Sequence, residues 1–114
     1  MNTQLLQANA RHASRLLKAM SNHHRLLILC QLLEEECCVG ELVRRVGLSQ
    51  SALSQHLARL RRDHLVTTRR SAQTIYYNLA SDEIRMLIET LNKLYRASTS
   101  ETSGRGVRVG AAAA

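Results

Sequence analysis

Residues 39–65, VGELVRRVGLSQSALSQHLARLRRDHL, constrain the fold of this chain more than any other stretch. The first part predicts a short helix, and the glycine and serine of residues 46–49, VGLS, suit the end of one helix and the cap of the next. The second part predicts another helix, because leucines recur every three or four residues. Two short helices joined by a tight, glycine-containing turn form a helix-turn-helix.

The two sides of the second helix differ in chemistry. At about 100° per residue, Leu53, Leu57 and Leu60 fall on one side and predict a buried face. Glutamine can pair with adenine and arginine with guanine or phosphate, while small side chains permit close approach. These types make up the other side: Ser51, Ser54, Gln55, Ala58, Arg59 and Arg62. They predict a helix that lies in the major groove of DNA. The alternative is a surface helix whose polar side is only solvated.

The composition favours one basic domain. A chain of 114 residues is the size of a single domain. Its 16 Lys and Arg against 9 Asp and Glu give a net charge of +7, and residues 44–70 hold seven Arg and one acid, Asp63. Such a cluster indicates a polyanionic partner. Acidic substrates and an anionic membrane surface are the alternatives.

The apolar runs, the cysteine number and the lack of catalytic motifs indicate where the protein is expected and which functions are not. No apolar run is long enough to span a bilayer, and no signal-peptide core is evident. An odd number of cysteines, three, indicates a reducing cytosol and free thiols. A cytoplasmic protein without a membrane partner or cofactor is therefore expected. An enzyme is not expected, because no nucleophile, base and orienting group have a suitable spacing and no glycine-rich phosphate loop follows a strand.

A hairpin is predicted after the helix-turn-helix, with strands at residues 66–70 and 74–79 and a tip at Ser71-Ala72-Gln73. A hairpin in this position is a wing, and Arg69 and Arg70 beside its tip could reach the minor groove or its phosphates. The alternative, a hairpin that only seals the core, accounts for Ile75 and Tyr77 but not for the arginine pair.

The outer helices predict a dimer. A first helix over residues 3–20 and a last helix from residue 82 both carry apolar stripes, and a helix over about residues 23–35 has a predicted core stripe of Leu26, Leu27, Cys30 and Leu33. One small domain cannot easily cover both outer stripes, so burial in a twofold dimer is expected. Residues 1–97 are the predicted domain, and residues 98–114 are a predicted flexible basic tail.

The stretches LLKAMSNHHRLLILCQLL, VGELVRRVGLSQSALSQHLARLRRDHLV and AQTIYYNL resemble the ArsR/SmtB family of winged-helix bacterial repressors, over about residues 16–95. The resemblance implies a mainly α, winged helix-turn-helix homodimer in α-α-α-α-β-β-α order that binds a palindromic operator in double-stranded DNA. It places the DNA contacts at Gln50, Ser51, Ser54, Gln55, His56 and Arg59, with Arg69, Arg70 and Gln73 on the wing. For His56, packing with a hydrogen bond is the alternative. His64 stands where relatives usually have Gly, which predicts a left-handed helix end.

Within that family the chain most resembles the sulfur- and redox-responsive HlyU/BigR branch, through LLKAM, the ILC ending at Cys30, and SQSALSQHLA. That branch pairs a Cys at this position with a second Cys after Leu-Tyr in the last helix, where this chain has Arg96. The switch therefore lacks its partner. Seven helical residues would separate Cys37 from Cys30 by about 10 Å along the helix axis, too far for a disulfide unless the chain turns back, and a Cys37–Cys38 bond would be strained. Cys30, Cys37 and Cys38 are the redox-sensing candidates, and a thiolate near Arg44 or Arg45 would oxidise more easily. Simple packing is the alternative.

No metal site is predicted. Arsenic sensors of this family carry CVCDLC where this chain has CVGELV from Cys38, which retains one thiol of three. Zinc sensors carry paired acids and histidines on the last helix, and here Asp82 and Glu83 have no accompanying His. A site of Cys37 and Cys38 with His12 or His23 stays as the alternative.

The sequence thus predicts a sequence-specific, dimeric, DNA-binding transcriptional regulator, a repressor or anti-repressor, with thiol oxidation or persulfidation as its candidate switch. Three alternatives remain open: a metal(loid)-responsive repressor, a nonspecific architectural DNA-binding protein, and a module that binds another protein.

Overall fold

The structure, a computed structural model, describes residues 2–101, with side chains described for residues 2–96. It has five helices and three short strands in these residues. In chain order they are α1 (Thr3–Met20), α2 (His23–Glu34), β1 (Cys37–Cys38), α3 (Val39–Val46), α4 (Gln50–Arg62), β2 (Val66–Ser71), β3 (Thr74–Leu79) and α5 (Asp82–Glu101). The winged helix-turn-helix predicted from the sequence is confirmed, with α3 and α4 as its two helices and β2–β3 as its wing.

Short polar side chains begin four of the helices. The side-chain oxygens of Asn2 and Asn22 accept hydrogen bonds from backbone N–H groups in the first turns of α1 and α2. The hydroxyls of Ser49 and Ser81 do the same for α4 and α5. Each cap satisfies a donor that the helix itself leaves unpaired, so these residues define where the helices begin.

The core lies where α4 packs against α2, α3 and the base of the wing. Leu53, Leu57 and Leu60 are at most 1% exposed, so the predicted buried face of α4 is confirmed. From α2 the fully buried residues are Ile28, Leu29 and Leu32.

The core stripe predicted for α2 is therefore only partly correct, because Leu26, Cys30 and Leu33 pack against the core from its edge but the most deeply buried residues are others. Leu26, Cys30 and Leu33 are only half-buried, and Leu27 is 37% exposed. The helix contacts α1, α3, α4, α5 and β3. A helix that is packed on several sides is apolar around most of its circumference, so the spacing of its leucines does not show which side is buried most deeply.

The three strands form an antiparallel sheet in the order β1-β3-β2. The sequence did not predict β1, whose two residues pair with Tyr77 and Tyr76, because two residues are too few to show an alternating pattern. The wing strands match their predicted bounds except that β2 includes Ser71, which pairs with Thr74 and leaves a two-residue loop. Under the alternative of a hairpin that only seals the core, Ile75 would be buried. It is 43% exposed, because it lies near the tip, beyond the buried Val66–Leu79 pair at the base.

Helix α4 ends in a left-handed residue, as the sequence predicts. His64 has a φ of 65°, and its N–H donates to the carbonyl of Arg61 while the N–H of Leu65 donates to the carbonyl of Leu60. These two bonds form a Schellman motif, in which the left-handed position usually holds glycine. The motif stops α4 and turns the chain into β2.

Helix α5 extends to Glu101, so the helix passes the boundary predicted at residue 97. Residues 102–114, and with them most of the predicted tail, lie outside the described residues. Among the residues that the structure describes, no helix is both long and apolar enough to cross a membrane.

The wing tip offers a test of the backbone geometry. Ala72, the first residue of the two-residue loop, has a φ of 56°, a conformation that costs an L-residue about 1–2 kcal/mol but costs glycine little. We expect Ala72→Gly to raise the free energy of unfolding by about 0.5–1 kcal/mol, measured by urea denaturation. Ser71→Gly is the matched control in β2 and should lower it. A destabilised Ala72→Gly protein would contradict the assigned turn.

Candidate nucleic-acid interface

The polar side of α4 is open to solvent along its length. Ser51, Ser54 and Gln55 are exposed in its first two turns, and Ala58 and Arg62 are exposed further along. Gln50, the first residue of the helix, is also exposed. The helix contains no acidic residue. A polyanion could therefore approach this side without meeting a negative charge on the helix, and the side chains first encountered would be small or hydrogen-bonding.

Arg59 has an intramolecular partner. Its Nε donates to Oδ2 of Asp63 at 3.1 Å, and Nε of Arg62 lies 3.5 Å from the other carboxylate oxygen. Burial raises the pKa of Asp63, but the hydrogen bonds and charges of the two arginines outweigh burial and lower it overall. Arg59 is half-buried and held at the edge of the exposed face, so it would have to leave Asp63 to contact a base.

His56 points into the protein rather than toward solvent. Its Nδ1 lies 3.5 Å from Nη1 of Arg25, and its ring centroid lies 5.9 Å from that of His24. Burial, the charge of Arg25 and the neighbouring His24 lower the pKa of His56. The neutral form of the imidazole is thereby favoured, and the ring packs against α2. This geometry agrees with the packing alternative for His56.

The Arg25 side chain connects three helices. It is 9% exposed, and its Nε donates to the carbonyl of Ala19 at 2.6 Å while Nη2 donates to the carbonyl of Lys18 at 3.5 Å. These carbonyls belong to the last turn of α1, where a cation is stabilised by the helix dipole. Burial and then the charge of Arg59 lower the pKa of Arg25, against the opposing charge of Asp63. Arg25 thus joins the end of α1 to α2 and, through His56, to α4.

The two wing arginines have different surroundings. The Nε of Arg69 donates to Glu36 at 2.9 Å and 3.1 Å, its Nη2 also donates to this carboxylate, and its guanidinium lies 4.7 Å from the ring centroid of Tyr76. Both arginines are exposed, but Arg70 has a backbone partner instead of a carboxylate: its Nε donates to the carbonyl of Ala72 at 3.3 Å. Gln73 is also exposed at the tip. The sequence predicted DNA contact for both arginines, but the guanidinium of Arg69 is bound to Glu36 within the protein.

The three cysteines are free thiols in different environments. Cys30 is half-buried, its Sγ lies 3.5 Å from Oδ1 of Asn92, and burial together with the charge of Glu34 raises its pKa. Cys37 is buried, and burial raises its pKa although Arg45, whose Nη1 lies 3.8 Å from the sulfur, opposes the shift. Cys38 is half-buried at the start of α3. The expected activation of a thiolate by the neighbouring arginine is therefore outweighed by burial at Cys37.

The alternative metal site is not assembled in the described residues, where no three His, Cys, Asp or Glu side chains converge in a way that could hold an ion. His12 instead lies 3.1 Å from Glu83 of α5, and His23 packs against His24 with ring centroids 5.0 Å apart. The two histidines considered as partners for Cys37 and Cys38 are thus engaged elsewhere.

Two residues that shape the interface were not identified from the sequence. Arg25 is one basic residue in an apolar helix, and Glu36 is the last of three consecutive glutamates. A charge within an apolar stretch is the one local sign that Arg25 needs a buried partner. Nothing local distinguishes Glu36 from Glu34 and Glu35, because its partners lie on the distant wing.

A helix-turn-helix followed directly by a two-stranded wing places the chain in the winged helix-turn-helix class of proteins. Residues 22–68 match the family described as "Bacterial regulatory protein, arsR family". The transcriptional activator HlyU of Vibrio cholerae serotype O1 is 58% identical over 95 residues, which cover 83% of this chain and 88% of HlyU. The biofilm growth-associated repressor of Xylella fastidiosa is 34% identical over 101 residues, 89% of each chain.

Among solved structures, reduced HlyU from Vibrio cholerae superposes with a TM-score of 0.77 at 58% identity, over 81% of this chain and 97% of that one. The chain therefore belongs to the ArsR family of bacterial regulatory proteins. It is a transcriptional regulator and not an enzyme, as the sequence predicts.

The thiol environments lead to a chemical prediction. Because the pKa values of Cys30 and Cys37 are raised, a smaller fraction of each is thiolate at neutral pH, and we expect both to react with iodoacetamide more slowly than N-acetylcysteine at pH 7. Mass spectrometry of timed samples gives the rate at each cysteine, and the rates should rise with pH beyond the usual thiol range. Faster alkylation than the free amino acid would contradict these environments.

Proposed function

We propose that the chain is a homodimeric, sequence-specific DNA-binding repressor or anti-repressor that reads a palindromic operator with α4. The exposed polar side of α4 carries this proposal. Its opposite side is occupied by buried leucines, so the side chains of α4 that can contact a partner are mainly its serines, glutamines and arginines. These types hydrogen-bond base edges and phosphates in a major groove.

The site residues divide into three proposed groups. Gln50, Ser51, Ser54 and Gln55 are the proposed base-reading set. Arg70 and Gln73 are the proposed contacts of the wing. His56, Arg59 and Arg69 have internal partners. Of these three, Arg59 joins the base-reading set when its side chain leaves Asp63 and binds the DNA. His56 instead packs on the protein side of α4, against α2.

Exposed apolar side chains support the proposed dimer. Six large hydrophobic residues on α1 and α5 are more than half exposed in the single chain: Leu5, Leu6, Leu17, Met86, Leu94 and Tyr95. Patches of this kind on soluble proteins mark interaction surfaces, and a twofold pairing of the same helices covers both. A twofold dimer presents two copies of α4, so its half-sites should lie about one helical turn, roughly 34–36 Å, apart.

Thiol oxidation or persulfidation stays a hypothesis for the regulation of this protein, with Cys30, Cys37 and Cys38 as candidates. The Sγ of Cys30 lies 3.5 Å from Oδ1 of Asn92, and the Sγ of Cys37 lies 3.4 Å from the carbonyl oxygen of Glu35. Because Cys37 is buried, a switch at this residue requires its side chain to become accessible first.

Base reading is tested at Gln55. An operator is first selected from random-sequence duplexes with the wild-type protein, and affinities for it and for single-base variants are measured at one salt concentration. We expect Gln55→Ala to weaken operator binding by about 1–3 kcal/mol and to relax preference at one base pair in each half-site. Gln31→Ala is the matched control, because Gln31 lies on α2, outside both the polar side of α4 and the proposed dimer surface.

If Gln55→Ala retains the wild-type base preference, the assignment of α4 is wrong. A nonspecific architectural protein would instead show no enriched sequence and a specific-to-nonspecific ratio far below a thousandfold.

The dimer is tested by sedimentation equilibrium. Leu94→Glu places a charge in the proposed α1–α5 interface, and we expect the dimer dissociation constant to rise at least roughly 100-fold because an unpaired buried charge costs several kcal/mol. Ile75→Glu is the control, since Ile75 is also exposed but lies on the wing. A Leu94→Glu protein that dimerises as tightly as wild type would contradict this interface.

A further inference from the structure

Glu36, which is not part of the wing, binds side chains of both wing strands. The residue lies between α2 and β1, and it accepts hydrogen bonds from Arg69 of β2 and from Nδ2 of Asn78 of β3, the latter at 3.0 Å. The carboxylate is thus shared between both strands of the hairpin. These contacts join residues 33 and 42 positions apart, so they connect the wing to the domain body.

The arrangement restricts Arg69 more than an ordinary surface ion pair would. Two of its nitrogens donate to one carboxylate, and the guanidinium also lies over Tyr76, its partner across the strands. Such two-point, charge-assisted bonds fix orientation as well as distance. The hydrogen bonds from Arg69 and then Asn78 lower the pKa of Glu36 to about 2, so the carboxylate is charged at neutral pH.

Arg69 and Arg70 lie on opposite faces of the wing. Successive residues of a strand point to opposite sides, and here Arg69 pairs with Tyr76 whereas Arg70 pairs with Ile75. The face with Arg69 carries the Glu36 carboxylate, which would repel a phosphate. The face with Arg70 carries no acidic residue from either strand, since residues 66–79 contain none.

We propose that Glu36 and Arg69 form a latch that sets the orientation of the wing, so that Arg69 is a positioning residue and Arg70 is the cation that contacts phosphate. This inference rests on the proposed DNA-binding function and replaces the sequence-based assignment of Arg69 to DNA contact. The latch acts on specific binding because a wing with a fixed orientation reaches the DNA flanking α4 without first being ordered.

The experiment uses two readouts for each variant: whether operator binding becomes tighter or weaker, and how steeply affinity falls with salt. Binding of the full-length protein to the selected operator is measured at several salt concentrations for wild type, Glu36→Gln, Arg69→Ala, the double variant and Arg70→Ala. Glu34→Gln is the matched control, because it removes the same charge two residues away. Circular dichroism checks that each variant is folded, and the nearly isosteric Glu36→Gln keeps the test valid if Arg69→Ala is unstable.

If the latch positions the wing, Glu36→Gln and Arg69→Ala each weaken operator binding roughly three- to tenfold, the double variant is no worse than either, and the slope of log affinity against log salt stays at the wild-type value. If Arg69 contacts phosphate instead, Glu36→Gln binds more tightly than Glu34→Gln and Arg69→Ala flattens the slope by about one unit per protomer. Either of these results overturns the latch, as does a Glu36→Gln protein that binds like wild type.

The Arg70→Ala protein separates failure of the latch from failure of the proposed function. It should flatten the salt slope by about one unit per protomer. An unchanged slope would show that the wing contacts no phosphate through Arg70, and this part of the proposed function would then fail whatever the Glu36 variants do.

Discussion

Burial of Leu53, Leu57 and Leu60 decides which side of α4 can meet another molecule. Each buried leucine contributes about 1.5–3 kcal/mol relative to an exposed one, so turning the helix by a single residue would lose most of this contribution. It would also bury polar side chains without partners. The capping of α4 by Ser49 and its Schellman end at His64 then determine the length of the polar side that is left in solvent.

The polar contacts behind α4 tie its position to the outer helices. Arg25 holds the last carbonyls of α1 and lies against His56, so a shift of α1 cannot leave α4 unaffected. Since α1 is also one of the two helices with exposed apolar side chains, the surface proposed for dimerisation and the surface proposed for DNA are joined by one buried guanidinium.

The positive charge of the chain is distributed less simply than its net value of +7 suggests. Asp63 is shared by Arg59 and Arg62, and Glu36 engages Arg69. These acids shape the basic surface by fixing some arginines within the protein. The arginine content alone therefore overstates how many cations can contact DNA.

Features with local causes could be predicted from the sequence. The bounds of α1 and β3 and the turn between α3 and α4 follow from caps, periodicity and the chain's own turn residues. The left-handed His64 was expected from the family resemblance, because relatives usually have Gly at this position. The register of α2, strand β1 and the partners of Arg69 could not be predicted, because each depends on contacts between distant parts of the chain. For the site, the exposed side of α4 was predicted correctly, and packing of His56 with a hydrogen bond was one of its two predicted roles. The internal partners of Arg59 and Arg69 were not predicted.

In the proposed complex, Ser54 and its neighbours on the polar side of α4 face the bases of the bound DNA. A photo-crosslinking amino acid at position 54, with the same group at exposed Glu89 of α5 as the control, tests it directly on the selected operator. We expect position 54 to crosslink to bases at two symmetric positions about one helical turn apart, and position 89 to crosslink to none. Crosslinks from position 89 with none from position 54 would show that the polar side of α4 does not face the bases.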